Sequence, residues 1–264
     1  MRCLIINGSS HKGNTWILTE LVKENLQAMD CTMEFEEIHL MDIDLPYCLG
    51  CSLCFRQGHI HCPHHNVVQG IIDKIDECDG IIFSAPTYNM QIPAVAKNLV
   101  DHLSFMLHRP RYFDKKALII STTGAVGAKD STKYMCGTFI GLGFNRCFQL
   151  PISAISYNDY RPTQKHMRKC TDVAAKFYNA LNSEKLHSPS FSAVMTYNLF
   201  RGISRHYTLG YQYATYDGTY WDETGLVSKA YSPNVPLPIH KMLYGNFFYW
   251  IGKNISKRLV VTYK

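Results

Sequence analysis

Short apolar runs alternate with longer amphipathic stretches through residue 182, and this alternation constrains the fold more than any other feature. Arg2–Asn7 and Gly80–Ser84 are continuous apolar runs of strand length, which is typical of strands covered on both faces. The pattern predicts a three-layer α/β domain with a doubly wound, five-stranded parallel sheet. The other predicted strands are 33–39, 116–121 and 146–152, and the predicted helices are 13–29, 66–78, 93–107, 130–141 and 161–181.

The alternation stops after residue 182. The polar segment 183–192 reads as a linker, and 193–264 reads as a C-terminal extension that is helical and rich in aromatic residues. Residues 191–264 hold eight Lys or Arg against three Asp or Glu, so much of the formal charge of +6 lies there. We expect the extension to pack on the first domain or on a second copy. Peripheral contact with a membrane by the segment 239–261, which ends in basic residues, is the less favoured alternative.

Two features bear on where the protein works. No apolar stretch reaches the length of about 20 residues that a membrane-spanning helix needs. The chain begins directly with a strand-like segment and lacks the pattern of a signal peptide. We therefore expect a cytoplasmic protein, in which the ten cysteines more often bind metal or do redox work than form a disulfide framework.

The loop after the first strand, 8–15, has the sequence GSSHKGNT and precedes a predicted helix. Small residues allow a tight backbone turn, hydroxyl and amide groups supply neutral donors, and a helix N-terminus favours an anion. The loop matches neither of the common Gly-rich nucleotide motifs. It predicts a phosphate-binding loop, with a Ser-capped turn of purely structural role as the alternative.

Two more loops follow predicted strands of the same sheet. Residues 85–93 (APTYNMQIP) offer a fixed turn, the flat ring of Tyr88 and polar groups at Thr87 and Asn89. Residues 122–127 (TTGAVG) form another loop of small residues. Because ligands of such sheets bind beyond the carboxyl ends of the strands, the three loops together predict a slot for a phosphate and a planar ring.

These three segments, including SAPTYNMQIPAVAKNLVDHL, resemble the flavodoxin-like NAD(P)H-dependent FMN reductases over roughly residues 1–182. The resemblance implies a flavodoxin-like fold, bound FMN and a homo-oligomer, either a dimer or a tetramer. It also implies that the phosphate binds to one group of residues and that two further groups line the ribityl chain and the ring. The phosphate would be held by Ser9, His11, Asn14 and Thr15. The ring and the ribityl chain would be lined by Pro86, Thr87, Tyr88 and Asn89, and the other side of the ring by Thr123, Gly124 and Ala125.

This chain departs from the family pattern at two positions. His11 stands where the family often has Arg, which weakens the positive partner of the phosphate unless Lys12 replaces it. Ala125 stands where another Gly is common, which changes how closely the backbone approaches the ring.

A compact cysteine motif follows the second strand. Cys48, Cys51 and Cys54 are spaced by two residues each, and Cys62 follows with a proline after it. This spacing lets one loop present several thiolates to a cubane cluster. Here the chain also resembles the iron–sulfur flavoproteins, which implies a [4Fe–4S] cluster that feeds electrons to FMN, although the gap between Cys54 and Cys62 is longer than usual there.

Two other readings of the motif stay open. Four histidines surround Cys62, so zinc held by mixed cysteine and histidine ligands is one alternative, and free or redox-active thiols are the other. The four are His59, His61, His64 and His65. The remaining cysteines, in predicted strands and helices, are expected to be small core residues. His102, on a predicted helix, is expected to be structural or to face solvent.

The sequence therefore predicts an FMN-dependent oxidoreductase that passes electrons from NAD(P)H to a small acceptor such as a quinone, a nitroaromatic or a flavin. The flavin carries this chemistry, so no side chain is assigned a catalytic role. One alternative is an iron–sulfur flavoprotein that a ferredoxin-type partner reduces, and another is a non-enzymatic redox or metal sensor. Nucleic-acid binding is not expected, because no recognised module is present.

Overall fold

The computed structural model describes residues 1–156, 159–210 and 212–258. Five strands, β1 (Arg2–Asn7), β2 (Glu34–His39), β3 (Gly80–Ser84), β4 (Lys116–Thr123) and β5 (Arg146–Ser153), form one sheet. The sheet has the order β2-β1-β3-β4-β5, and every neighbouring pair is parallel. This is the flavodoxin-like order, so the predicted fold class is confirmed.

The helices of the first part of the chain flank this sheet. They are α1 (Asn14–Met29), α2 (Leu53–Arg56), α3 (His65–Asp76), α4 (Ala94–His102), α5 (Phe105–His108), α6 (Ala128–Gly141) and α7 (Gln164–Leu181). The single helix predicted over 93–107 is two helices, because α4 ends at His102 and the chain turns before α5 begins. Pro93 has an extended backbone and is the N-cap residue of α4, directly before its first turn.

Two apolar clusters cover the two faces of the sheet. One joins side chains of β1, β3 and β4 to α3, α4 and α6, with Phe83 and Phe144 fully buried in it. The other joins the opposite faces of the same strands to α1 and α7, with Leu18 and Phe177 at its centre. Since each central strand is buried on both sides, its apolar residues follow one another without a break, as in residues 118–120, rather than at every second position.

Three of the expected core cysteines differ from that expectation. Cys136 of α6 and Cys147 of β5 form a disulfide across Cα atoms 5.6 Å apart, so they are not free thiols. Cys31 is exposed, because it lies in the turn that follows α1 rather than in a helix or strand. Cys3, Cys78 and Cys170 are buried free thiols, as expected.

The extension contains α8 (Phe191–Ile203), α9 (Tyr216–Glu223) and α10 (Ile239–Ser256). Its own apolar cluster includes Tyr197 and Trp221, and side chains of the first domain, Phe113 and Ile140, pack against it. The extension is therefore packed onto the α5 and α6 side of the domain. The segment 183–190 has no regular structure, and Ser190 caps α8 by accepting a hydrogen bond from the backbone of Ala193. Residues 259–261, the end of the predicted segment 239–261, lie outside the described residues, as do residues 262–264.

Glycines let α8 and α10 pack backbone to backbone. A Cβ atom at Gly252 would lie 2.4 Å from the carbonyl oxygen of Leu199, and one at Gly202 would lie 2.3 Å from that of Tyr249. Gly245 is equally close to Asn198, with 2.6 Å between its hypothetical Cβ and the side-chain nitrogen. Helices approach this closely only where small residues face each other, so α10 presents its glycine face to α8.

The large apolar side chains of α10 consequently lie elsewhere on the helix. Its buried residues are Gly245, Gly252 and Ser256, whereas Leu243 and Trp250 are 62% and 61% exposed. The sequence predicted that the apolar side of this segment would pack on its own protein or on a second copy. Within this chain the side of α10 with Leu243 and Trp250 does not pack on the protein, because the glycine face of the helix makes the contact with α8.

A buried ion pair ties α9 to the first domain. Arg109, which is 4% exposed, places its Nε atom 2.9 Å from Oδ1 of Asp217, although the two atoms are not aligned for a hydrogen bond. Nδ1 of His108 lies 2.6 Å from the other carboxylate oxygen. Burial lowers the pKa of Arg109, and the carboxylate of Asp217 opposes that shift. The buried charge of Arg109 is therefore balanced by a residue of the extension.

We predict that Gly252→Ala destabilises the protein by about 1–3 kcal/mol, because the added methyl group overlaps the backbone of α8. The measurement is urea unfolding followed by far-UV circular dichroism. Gly70→Ala is the matched control, since Gly70 lies in α3 with nothing within 4 Å of its hypothetical Cβ. The control should be neutral or up to about 1 kcal/mol more stable. Equal stability of the two variants would contradict the close packing.

We also predict that Asp217→Asn costs about 3–5 kcal/mol of unfolding free energy, because it leaves the buried charge of Arg109 without its partner. Asp222→Asn, on the same helix, removes the more exposed pair with Arg205 and should cost less than about 1 kcal/mol. Denaturant unfolding of both variants checks the difference. A loss at Asp217 no larger than that at Asp222 would show that the buried pair contributes little.

Candidate cofactor and metal sites

A cleft of about 710 Å³ lies beyond the carboxyl ends of β1, β3, β4 and β5. Its volume is within the range of about 300–1,000 Å³ for small-molecule sites. The backbone hydrogen bonds of the sheet continue into its walls: the amide of Gly8 donates to Ser84 over 2.7 Å, and that of Thr87 donates to Thr122 over 2.7 Å. The loops that form the cleft are therefore fixed to one another by the sheet itself.

The structure brings together all the predicted FMN contacts except one. The cleft is lined by Ser9, His11, Asn14, Thr15, Pro86, Thr87, Tyr88, Thr123, Gly124 and Ala125. Asn89 is not part of the lining; it is exposed and has a positive φ of 46° in the turn after Tyr88. Contact between these residues and FMN stays a prediction.

Sequence reasoning missed one wall of the cleft. Ala154, Ile155 and Ser156 follow β5 directly, and the amide of Ala154 donates to the carbonyl oxygen of Thr123 over 2.8 Å. The same rule that identified the other loops applies to β5, because all parallel strands end at one edge. The three residues include no Gly or Pro, which each of the other loops contains, so composition did not point to them.

Several predicted polar contacts are already used within the protein. The hydroxyls of Thr15 and Thr122, both about 4% exposed, are 2.5 Å apart. The hydroxyl of Thr87 lies 3.0 Å from those of both Ser121 and Ser131. These hydroxyls hold the loops together beneath the cleft, which leaves backbone groups and the remaining side chains to face a ligand.

The first turn of α1 is the strongest anion site in the cleft. The first backbone N–H groups of a helix have no intrahelical partner, and Gly13 at the N-cap has no side chain to accept a hydrogen bond from them. The side-chain nitrogen of Asn14 donates instead to the carbonyl oxygen of Ser156 over 2.6 Å. Lys12 does not line the cleft: its ammonium is 3.9 Å from Glu37 and 4.7 Å from the ring centre of Trp16. A phosphate would therefore be held mainly by neutral donors and the helix dipole.

The four motif cysteines line a second, smaller cavity of about 70 Å³. Asn98 anchors their loop: its side-chain oxygen accepts from the amide of Cys48 over 3.0 Å, and its nitrogen donates to the carbonyl oxygens of Leu45 and Pro46. A left-handed backbone at Gly50 and Ser52 turns the chain between the cysteines. The loop is thus shaped to place Cys48, Cys51, Cys54 and Cys62 around one space.

Arg109 supports the same loop from below by donating a hydrogen bond to the carbonyl oxygen of Cys54 over 2.7 Å. Burial raises the pKa of Cys54 to about 11, and burial also raises the pKa of Cys62. Reactive thiols in redox proteins have a lowered pKa, so these two shifts argue against the reading as a redox-active dithiol. A metal or cluster would displace the thiol protons on binding.

Cys62 also lies beside two histidines. Its sulfur and one ring nitrogen each from His64 and His102 are all within 4.8 Å of one another. Nδ1 of His102 donates to the carbonyl oxygen of Asn98 over 2.9 Å, so in the neutral ring Nε2 accepts from Nδ1 of His64 over 3.0 Å. Of the four histidines predicted near Cys62, only His64 belongs to this group, whereas His59 stacks on Phe105. His102 was expected to be structural or to face solvent. It is buried and its ring is hydrogen-bonded, which fits the structural reading, and α4 carries it to the cysteine loop.

Residues 1–146 match the family described as NADPH-dependent FMN reductase. An iron–sulfur flavoprotein of Clostridioides difficile is 29% identical over 84% of this chain and 98% of its own length. An NADPH:quinone oxidoreductase of Arabidopsis thaliana is 35% identical over 38% of this chain and 48% of its own. The chain spans about half the length of several of the curated relatives that it matches.

A solved NAD(P)H:quinone oxidoreductase of Methanothermobacter marburgensis has the same fold, with a TM-score of 0.53 at 16% identity over 70% of this chain and 98% of that one. The family match covers β1 to the start of β5 and includes the loops that form three walls of the cleft. The sequence resemblance is thereby confirmed: the chain belongs to the NADPH-dependent FMN reductase family.

Proposed function

We propose that the protein binds FMN in the cleft at the carboxyl edge of the sheet and uses it to transfer electrons from NAD(P)H to a quinone-type acceptor. The observation that carries this proposal is the convergence of the three predicted loops on one cleft of suitable volume. The family match supports the flavin, and the plant relative supports the class of acceptor.

The chain fits FMN at both ends of the ligand. The open first turn of α1 suits the phosphate, with Ser9 and His11 beside it. The loop of Pro86 and Tyr88 faces that of Gly124, where a Cβ atom would meet nothing within 4 Å. That open space is where a planar ring would lie between the two loops.

Bound FMN supplies the hydride and electron transfer chemistry. The chain's own residues would bind and orient it: among the described residues that line the cleft, only His11 and Tyr88 have an ionisable side chain. The wall is otherwise neutral and formed of small side chains and backbone. No acid or base is therefore assigned, and the protein's contribution is to position the cofactor and to leave one face open to substrates.

The cysteine cavity suits a [4Fe–4S] cluster as the second cofactor. Four thiols line one small cavity, their loop is held by Asn98 and Arg109, and the clostridial relative is named an iron–sulfur flavoprotein. A single ion would require the four cysteine sulfurs to lie close to one another, and they do not. In a cluster each cysteine binds a different iron atom, so a wider spacing of the sulfurs is suitable. A protein with this second cofactor could take electrons from a ferredoxin-type donor as well as from NAD(P)H. Eight of the ten cysteines are free, which fits a reducing compartment such as the cytoplasm, and the Cys136–Cys147 disulfide is the exception.

We predict that Gly124→Leu weakens FMN binding at least about tenfold, because the new side chain fills the open part of the cleft. The measurement is FMN fluorescence quenching, with quinone reduction by NADPH as a second readout. Gly70→Leu is the matched control, since Gly70 also has open space around its hypothetical Cβ but lies in α3 and does not line the cleft. Wild-type protein that carries no flavin and takes up no added FMN would overturn the proposal.

For the second cofactor, we predict that protein purified without oxygen contains near-stoichiometric iron and acid-labile sulfide, and that Cys48→Ser or Cys54→Ser removes most of both. Cys31→Ser is the control, because Cys31 is a free and exposed cysteine outside the motif. FMN content should persist in all three variants. If the protein instead contains zinc without sulfide, and His102→Ala removes the zinc, then the site is a single metal ion at Cys62, His64 and His102 and not a cluster.

A further inference from the structure

The outer face of α10 has no partner among the described residues. Leu243, Phe247 and Trp250 follow one another at helical spacing and are each more than half exposed. Ile239 continues the row toward the start of the helix with 72% of its surface exposed. Isolated exposed apolar residues are ordinary, but a continuous aromatic and aliphatic row on one helix marks a contact surface.

The charge around this row has a single sign. Lys253, Lys257 and Arg258 are exposed at the end of α10, directly beyond Trp250. Residues 224–264 contain no Asp or Glu at all. The segment after residue 223 therefore offers cations beside the apolar row and no acidic side chain that could pair with the same cations in another copy of this segment.

We propose that α10 docks on an anionic lipid surface, with the row from Ile239 to Trp250 in the interface and the terminal cations at the headgroups. An interfacial helix of this kind combines a Trp- and Phe-bearing apolar face with Lys and Arg nearby. The anchor is peripheral, because among the described residues no helix is long and apolar enough to cross a membrane.

The packing of α10 fixes which face is presented. Its glycine face lies against the backbone of α8, so the helix cannot rotate its aromatic row inward without separating the two helices. Lys241, on the inner side, donates hydrogen bonds to Ser188 and Pro189 and holds the start of the helix to the segment before α8. The docking face is therefore rigid and already formed before any lipid is met. This inference does not depend on FMN or on the cysteine cavity.

The test is sedimentation of the full-length protein with phosphatidylcholine vesicles, with and without phosphatidylserine. We expect binding only to the anionic vesicles. Lys253→Gln, Lys257→Gln and Arg258→Gln together should weaken it roughly 100-fold, at about fivefold for each cation. The matched control replaces Lys165, Arg168 and Lys169 of α7 by Gln, which removes the same charge from an exposed face elsewhere and should leave binding unchanged.

Tryptophan fluorescence provides a second, site-specific readout. Trp16 and Trp221 are buried, whereas Trp250 is exposed, so a blue shift on adding anionic vesicles reports Trp250. Leu243→Ala with Trp250→Ala should reduce vesicle binding roughly tenfold or more. No binding of the wild type, or equal losses in the α7 control, would overturn the proposal. So would a stable dimer without lipid that Leu243→Ala with Trp250→Ala dissociates, because a second copy would then cover the face.

Discussion

The parallel hydrogen-bonded ladder of β2-β1-β3-β4-β5 is the constraint on which the rest of the molecule depends. Because all five strands run the same way, every strand ends at one edge, and loops far apart in sequence meet there. The ladder extends beyond the strands themselves, from Thr87 to Thr122 and from Ala154 to Thr123. The cleft wall is thus a continuation of the sheet, and its shape is as fixed as the sheet.

This constraint explains why the cleft could be predicted from the sequence. Continuous apolar runs revealed the strands, and the carboxyl-edge rule then identified the loops, so neighbouring residues such as Ser9, Thr87 and Gly124 were assigned to one cleft without any distance information. What could not be predicted was the direction of individual side chains. The hydroxyls of Thr15 and Thr87 bond to other hydroxyls beneath the cleft, and such buried partners come from β4 and α6, which sequence spacing does not relate to them.

The extension shows a different limit of sequence reasoning. Amphipathic spacing over 239–261 correctly indicated a helix, but it implied that the apolar side would be the packed side. The structure packs the side with Gly245 and Gly252 instead, because two helices can approach more closely through glycines than through aromatic rings. Hydrophobicity alone does not detect this mode of packing. A row of small residues at helical spacing, shared with Gly202 of α8, was the feature that could have found it.

The cleft and the cysteine cavity differ in how strongly they depend on the extension. Among the residues that the structure describes, those that line the cleft all precede residue 157, and the hydroxyl network beneath it closes within the first domain. The cysteine loop, in contrast, receives a hydrogen bond from Arg109, whose buried charge is balanced by Asp217 of α9. Tyr216 of the same helix lies under Arg109 and next to Gly58 of that loop. The extension is therefore part of the support of the cysteine cavity, and a flavodoxin-like domain without it would keep the cleft but lose the charge partner that holds Arg109 against Cys54.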